Sequence, residues 1–281
     1  MTNFSDSHTD IMTAIKKKSQ RETVVKRIKE NGGDFVSLAI FTTEKKQKLR
    51  EIERLNYEIK FYKEKYDLSL FMSIEDLGFI ESKKDFVKLI SLKPFSATLT
   101  WNFSNQFAGG SQANDGLTGE GRRVIDVLEA NDIIIDSAHL SRKSFSELCR
   151  ISSKPIYNSH SNINSIFSHK RNLTDKQIEK IVLSDGFVGI TFYQKFISNE
   201  KITSFDIAKQ FDYLIKHFGS DNFGIGSDLY GFDKKFLPID FGDDFFEKLK
   251  NEMKNLGYNQ NIIDKIMWKN YENFSKKMKK I

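Results

Sequence analysis

Eight short runs of β-type residues recur along this chain with helical patterns between them, and that alternation constrains the fold more than any other feature. The runs are Phe4 to His8, Phe35 to Phe41, Leu70 to Glu75, Ala97 to Trp101, Ile133 to His139, Pro155 to His160, Phe187 to Phe192 and Phe223 to Asp228. Helix-like stretches between them include Lys45 to Lys65, Gly119 to Ala130, Ser144 to Ile151, Asp175 to Leu183 and Ser204 to Phe218. Strands alternating with helices predict a parallel sheet, and eight such units predict an α/β fold of the closed (β/α)8, TIM-type kind. Asp244 to Asn255 and Ile262 to Lys279 then read as closing helices on the outside. The first run carries little β-branched or aromatic weight. It is kept as a strand because of the residues at its end.

The 281 residues, 39% of them hydrophobic, suffice for one barrel core, and no Gly/Ser-rich linker, repeat or low-complexity block marks a boundary. One catalytic domain over residues 1–281 is expected. The formal charge of +6 does not point to nucleic acid, because the basic residues are scattered among 38 acids instead of forming a stripe. The densest basic stretches, Lys16-Lys17-Lys18 and Lys276 to Lys280, fall on predicted helices and read as solvated faces or a frayed tail. The lone Cys149 reads as a core position of an amphipathic helix, not as half of a disulfide. The start, Met1 to Asp6, lacks a basic region followed by an apolar run, and no segment reaches ~18 uninterrupted apolar residues. A soluble cytoplasmic protein without a membrane partner is therefore expected.

The chemistry-bearing residues stand at the ends of the strands. His8 and Asp10 are two apart and can project to one side of an extended chain. Glu75, His139, His160 and Asp228 each close a predicted strand. In a parallel barrel the C-terminal strand ends share one rim, where barrel enzymes place their active sites. Taken singly, each residue reads better as a cap or a hydrogen-bonded core residue, but jointly that reading is poor. Imidazole and carboxylate are the donors that zinc takes outside thiolate sites. Five of them, His8, Asp10, Glu75, His139 and His160, exceed the needs of one open tetrahedral ion and argue for two ions sharing a carboxylate. His217, in the last turn of a helix before Gly219, and His169, in an exposed stretch before Asp175, are not expected to touch metal.

With those residues in place, the chain resembles the membrane (renal) dipeptidase family. The matching stretches are Asp6 to Asp10, Ser73-Ile74-Glu75, Thr98 to Asn102, Gly116-Leu117-Thr118, Ile135 to Ser141, Pro155 to Ser161, Lys170 to Asp175 and Gly224 to Asp228. They run in the family's order across nearly the whole chain. The resemblance implies one zinc on His8 and Asp10, a second on His139 and His160, and Glu75 bridging both. It also implies that Arg171 contacts substrate and that Asp228 carries a proton beside the scissile bond. Relatives cleave dipeptides, often with a D-residue at the C-terminal position, and some open β-lactam rings. Three features depart from the pattern. Asp76 follows the bridging Glu where Gly is common, Trp101 stands where renal members carry a substrate-contacting His, and the segment between His8 and Glu75 is short.

The expected activity is hydrolysis of dipeptides by a hydroxide shared between two zinc ions, with Asp228 and Glu75 as catalytic groups. Arg171, Trp101, Asn102 and Asp228 are the expected substrate contacts. Trp101 reads first as an aromatic wall. A sharper alternative makes its indole N–H a donor to the developing oxyanion, with Asn102 or the metals taking that role if it does not. The rival readings are a two-metal hydrolase of another amide or phosphoester, and a metal- or peptide-binding relative without turnover. The expected partner is a small peptide, and a homodimer is compatible with the sequence.

Overall fold

The computed structural model describes residues 3–41 and 48–279. Its strands are β1 (Phe4–Thr9), β2 (Gly33–Phe41), β3 (Leu70–Glu75), β4 (Ser96–Thr98), β5 (Ile134–Asp136), β6 (Tyr157–Ser161), β7 (Phe187–Ile190) and β8 (Phe223–Ile225). They form a single eight-stranded sheet in sequential order, every neighbouring pair parallel. The ring closes where Asp228 N–H donates to His8 O (3.0 Å) and Asp10 N–H to Leu229 O (2.9 Å). This is the expected (β/α)8 architecture.

The weakest strand of the sequence is buried at all six positions. Long-range hydrogen bonds supply what its propensity lacks. Ser7 Oγ is bonded to the carbonyls of Ser159 (2.6 Å) and Ile225 (3.0 Å), tying β1 to β6 and β8. Tertiary context thus decides a segment whose composition alone does not.

Four strands stop short of the expected ends. β4 ends at Thr98, not Trp101; β5 ends at Asp136, not His139; β7 ends at Ile190, not Phe192; and β8 ends at Ile225, not Asp228. The reason is local backbone geometry. His139 (φ 67°) and Asp228 (φ 59°) lie in the left-handed region, so the chain turns out of the sheet just as it presents these side chains. Beyond β4, Asn105 Nδ2 caps Leu99 O (2.7 Å) and holds the Trp101 segment in a bend.

Helices α1 (Ile11–Ala14), α2 (Lys18–Glu30), α3 (Lys48–Tyr66), α4 (Lys83–Ser91), α5 (Gly119–Ala130), α6 (Arg142–Ile151), α7 (Asp175–Leu183), α8 (Ser204–Phe218), α9 (Phe245–Asn255), α10 (Gln260–Asp264) and α11 (Asn270–Lys279) connect and surround the strands. Residues 45–47 of the helix expected from Lys45, and Lys280 of the terminal basic run, lie outside the described residues. The expected closing helix Ile262 to Lys279 is interrupted by a π-helical turn at Lys265–Lys269. α4, capped by Ser82 Oγ accepting from Asp85 N–H (3.2 Å), is a helix that the patterns above do not name. Cys149 is half-buried on α6 and packs against the core, as its pattern suggests. At the N-terminal end of the barrel, α11 inserts Tyr271 and Phe274 among Phe71, Phe95, Ile134, Tyr157 and Phe187 and plugs the floor. Among the described residues, no helix is long and apolar enough to cross a membrane.

Candidate metal centre and active site

The opposite end of the barrel is polar. His8, Asp10, Glu75, His139 and His160 come from β1, β3, β5 and β6 or the residues just past them, and all five are buried. Glu75 lies between two groups. Its Oε2 faces His8 Nε2 (3.9 Å), which is itself 3.4 Å from Asp10 Oδ2. Its Oε1 faces His139 Nε2 (2.8 Å) and His160 Nε2 (3.9 Å), and those two imidazole nitrogens are 2.9 Å apart. Ligand atoms of His8, Asp10 and the half-buried Asp228 also lie within 4.8 Å of one another. Gly231 leaves room for this last group, because a Cβ there would collide with Asp228 Oδ1 and lie 2.6 Å from Asp10 Oδ2.

A surrounding set of hydrogen bonds fixes the rings, and the sequence reading missed most of it. Asn102 Oδ1 sits 2.9 Å from His139 Nδ1, and because an amide oxygen only accepts, this contact has the imidazole N–H donating from Nδ1, with Nε2 directed at Glu75. Ser159 Oγ meets His160 Nδ1 at 2.8 Å. Asn102, expected as a substrate contact, therefore directs its oxygen to His139, although it also borders the cavity. Two buried aspartates brace the strand ends. Asp6 Oδ1 accepts from His8 N–H (3.1 Å) and Ser227 N–H (2.9 Å), tying β1 to the segment that carries Asp228. Asp136 Oδ1 accepts from Ala138 N–H (3.0 Å) and Ser159 N–H (3.0 Å), tying the His139 and His160 strands together. The signal for these braces is the shared pattern Asp6-Ser7-His8 and Asp136-Ser137-Ala138, an Asp two residues before a candidate ligand or its neighbour.

The charges are unbalanced without a cation. Asp6, Asp10, Glu75, Asp136 and Asp228 bring five carboxyl groups to one end of the barrel, and the buried guanidinium beside them is that of Arg171. Burial, followed by the charge of Asp10, raises the proton affinity of Asp228 far above the carboxylate range. Burial lowers His139 to about 4, with the charge of Arg171 adding to the effect, and holds His160 well below its ordinary value. His8 goes the other way. Burial opposes its protonation, but Asp10, Glu75 and Asp228 push it up to about 10. Its Nε2 is buried with no hydrogen-bond partner, which is costly for a polar atom. Two imidazoles held neutral, a third whose Nε2 lacks a hydrogen-bond partner among crowded carboxylates, and those carboxylates themselves are the donor set that divalent cations take. The residues present therefore fit metal ions.

Above this floor opens a cavity of about 670 Å3. Arg171, buried to 5% exposure, lines it, with Nη2 on His160 O (3.1 Å), Nη1 on Ser161 Oγ (3.4 Å) and the guanidinium 5.5 Å from the Phe196 ring centre. Burial lowers its pKa to about 10, which still leaves it charged at neutral pH. His169 corrects the expectation of exposure. It is half-buried at the cavity edge, its Nδ1 accepts Arg171 N–H (3.1 Å), and its ring lies 4.6 Å from that of Phe196. Trp101 also lines the cavity, from a bend and not from a strand, with its ring 5.5 Å from Phe41 and 6.0 Å from His139. Asp76 is turned away, its Oδ1 taken by Gly78 N–H (2.8 Å) and Asn105 Nδ2 (3.1 Å). His217 bonds Tyr213 O (2.8 Å) on the outer helix α8, far from the mouth.

Comparison with known proteins agrees with this architecture. The family model described as membrane dipeptidase (Peptidase family M19) matches residues 56–280. A Klebsiella pneumoniae relative, an uncharacterized protein in the pqqA 5' region, is 32% identical over 197 residues, covering 64% of this chain and 69% of its own. Of two uncharacterized dipeptidases of Schizosaccharomyces pombe, 29% and 28% identical, the matches cover 48% and 68% of this chain but only 34% and 50% of theirs. Among solved structures, dipeptidase AC, a metallo peptidase, superposes with a TM-score of 0.85 at 22% identity, covering 98% of both chains. A Rhodobacter sphaeroides metallo peptidase liganded with a phosphinate mimic of the dipeptide L-Ala-D-Ala gives 0.82 at 22% identity, over 98% of this chain and 99% of that one. At such identities the structures speak to the fold alone, whereas the family model spans most of the sequence. This chain belongs to the membrane dipeptidase family, peptidase family M19, a family of metallopeptidases.

Proposed function

We propose that the chain hydrolyses dipeptides with two divalent metal ions, zinc being the expected metal, and with Glu75 as the bridging carboxylate. The observation that carries this reading is the placement of Glu75, one oxygen toward His8 and Asp10 and the other toward His139 and His160. Two ions there would supply an activated water near neutral pH and polarise the scissile carbonyl. The protein's own groups do the rest. Arg171 binds the substrate carboxylate through its planar fork and orients the peptide. Asp228, at the cavity edge beside Asp10, takes a proton on its carboxylate and returns it to the leaving amine. Asn102 and Ser159 hold the rings of His139 and His160 in the orientation that keeps Nε2 directed inward.

The Rhodobacter ligand, a mimic of L-Ala-D-Ala, supports including C-terminal D-residues among the substrates. The test is a panel of L,L and L,D dipeptides with zinc-loaded protein, run beside a chromogenic phosphodiester. Dipeptide hydrolysis that a chelator abolishes and zinc restores is expected. Turnover of the phosphodiester without any dipeptide would move the assignment to another two-metal hydrolase, and metal uptake without turnover of either would leave a binding protein.

A further inference from the structure

The two walls of the cavity differ in a way that bears on which dipeptides enter. In an eight-stranded ring closed in sequential order, β2 and β4 flank β3, and the strand facing β3 across the mouth is β7. Phe41 ends β2 and Trp101 follows β4, so their aromatic wall stands above Glu75 and His139. Arg171 follows β6, and Phe196 follows β7, so they lie on the other side. The aromatic surface of that second wall is already covered. Phe196 has the Arg171 guanidinium at 5.5 Å and the His169 ring at 4.6 Å, and Tyr193 lies edge-on to it at 4.7 Å. Among the described residues the first wall is more loosely covered, with Lys48 Nζ 6.0 Å from the Phe41 ring centre and Phe103 6.4 Å from Trp101. Trp101 is 38% exposed while leaning on Phe41 at 5.5 Å with a 33° tilt, which leaves an apolar shelf open to the cavity.

Resting on the dipeptidase reading, we propose that Phe41 and Trp101 form the subsite for the side chain of the substrate's first residue, and that the protein selects dipeptides beginning with a large apolar or aromatic residue. The orientation follows from charge. With the C-terminal carboxylate on Arg171 and the scissile bond over the ligand cluster, the first residue is directed across the cavity toward Trp101. An aromatic ring laid on Trp101 there loses apolar surface to water on both partners, and aromatic pairs add to that gain through offset stacking.

The test uses the metal-loaded protein and three matched substrates, L-Phe-L-Ala, L-Ala-L-Phe and L-Ala-L-Ala. Phe-Ala is expected to exceed Ala-Ala in kcat/KM by about tenfold, mainly through KM, while Ala-Phe gains about threefold or less. In Trp101→Ala the ratio of Phe-Ala to Ala-Ala should fall to about threefold or less, and in Phe41→Leu it should fall part of the way. A binding readout runs in parallel. The chain has two tryptophans, so in a Trp268→Phe background the emission reports Trp101, and a phosphinate mimic of Phe-Ala should shift it where the Ala-Ala mimic does not. Equal kcat/KM for Phe-Ala and Ala-Ala, or a preference untouched by Trp101→Ala, overturns the subsite and leaves the dipeptidase reading standing. If no dipeptide turns over, the dipeptidase reading fails, and the emission titration still decides the subsite: no shift with the Phe-Ala mimic overturns it.

Discussion

The two ends of the barrel are built from the same strands and follow opposite rules. At the floor, Phe71 stacks on Phe95 (4.7 Å), Tyr157 on Phe274 (5.2 Å), and Phe187 tilts against Tyr271 (5.1 Å). The polar atoms there are satisfied, with Tyr157 Oη donating to Ser7 O (2.9 Å) and Tyr271 Oη paired with Ser37 Oγ (2.6 Å). At the mouth, His8 Nε2 and Arg171 Nε are buried without hydrogen-bond partners, carboxylates crowd together, and His139 and Asp228 take left-handed backbone conformations. The floor is packed apolar surface, and the mouth keeps buried polar atoms without hydrogen-bond partners. This division lets a barrel hold a costly constellation on a rigid base.

If the ends are independent in this way, mutations should separate them. The largest effect is expected from Asp228→Asn, which removes the proton acceptor at nearly constant size. Turnover should fall by about 10²- to 10⁴-fold while metal content and melting temperature stay near those of the parent. An unchanged kcat would remove Asp228 from the mechanism. Next is the floor. Phe187→Ala should cost about 3–5 kcal/mol in urea unfolding, yet the folded fraction should keep its kcat. A collapse of kcat without lost stability would show that the two ends are coupled.

Asn102→Ala sharpens the comparison within the mouth. Losing the partner of His139 Nδ1 should weaken metal affinity by about 10- to 100-fold, read by competition with a chelating dye. The smallest effect is expected from Trp101→Phe, which keeps an aromatic shelf and deletes the indole N–H. A kcat within about threefold of the parent agrees with the shelf, whereas a loss of about 10²-fold would make the indole an oxyanion donor.

The sequence made Glu75, His139 and Asp228 conspicuous as candidate site residues because each closes a β-type run, and a polar residue in that place stands out. Phe4 to His8 was readable as a strand only through His8 and Asp10, since its serines gain their value from Ser159 O and Ile225 O across the barrel. Long-range partners of this kind leave no local trace. The same holds for His169, which reads as exposed in Ser168-His169-Lys170-Arg171 but is half-buried against Phe196. Asn102 reads from the sequence only as a cavity residue, because nothing in the sequence shows that its oxygen meets His139. The left-handed turns at His139 and Asp228 were likewise hidden, since neither residue is a glycine.

The central claim is that Glu75 joins two metal positions in one site. It is tested most directly by titrating zinc into the stripped protein and into Glu75→Gln, following bound metal by elemental analysis and activity on the best dipeptide together. The parent should saturate at two equivalents, with full activity appearing only as the second is filled, and Glu75→Gln should lose affinity at both positions along with rate. Saturation of the parent at one equivalent with full activity, or normal two-ion occupancy in Glu75→Gln, would contradict the account.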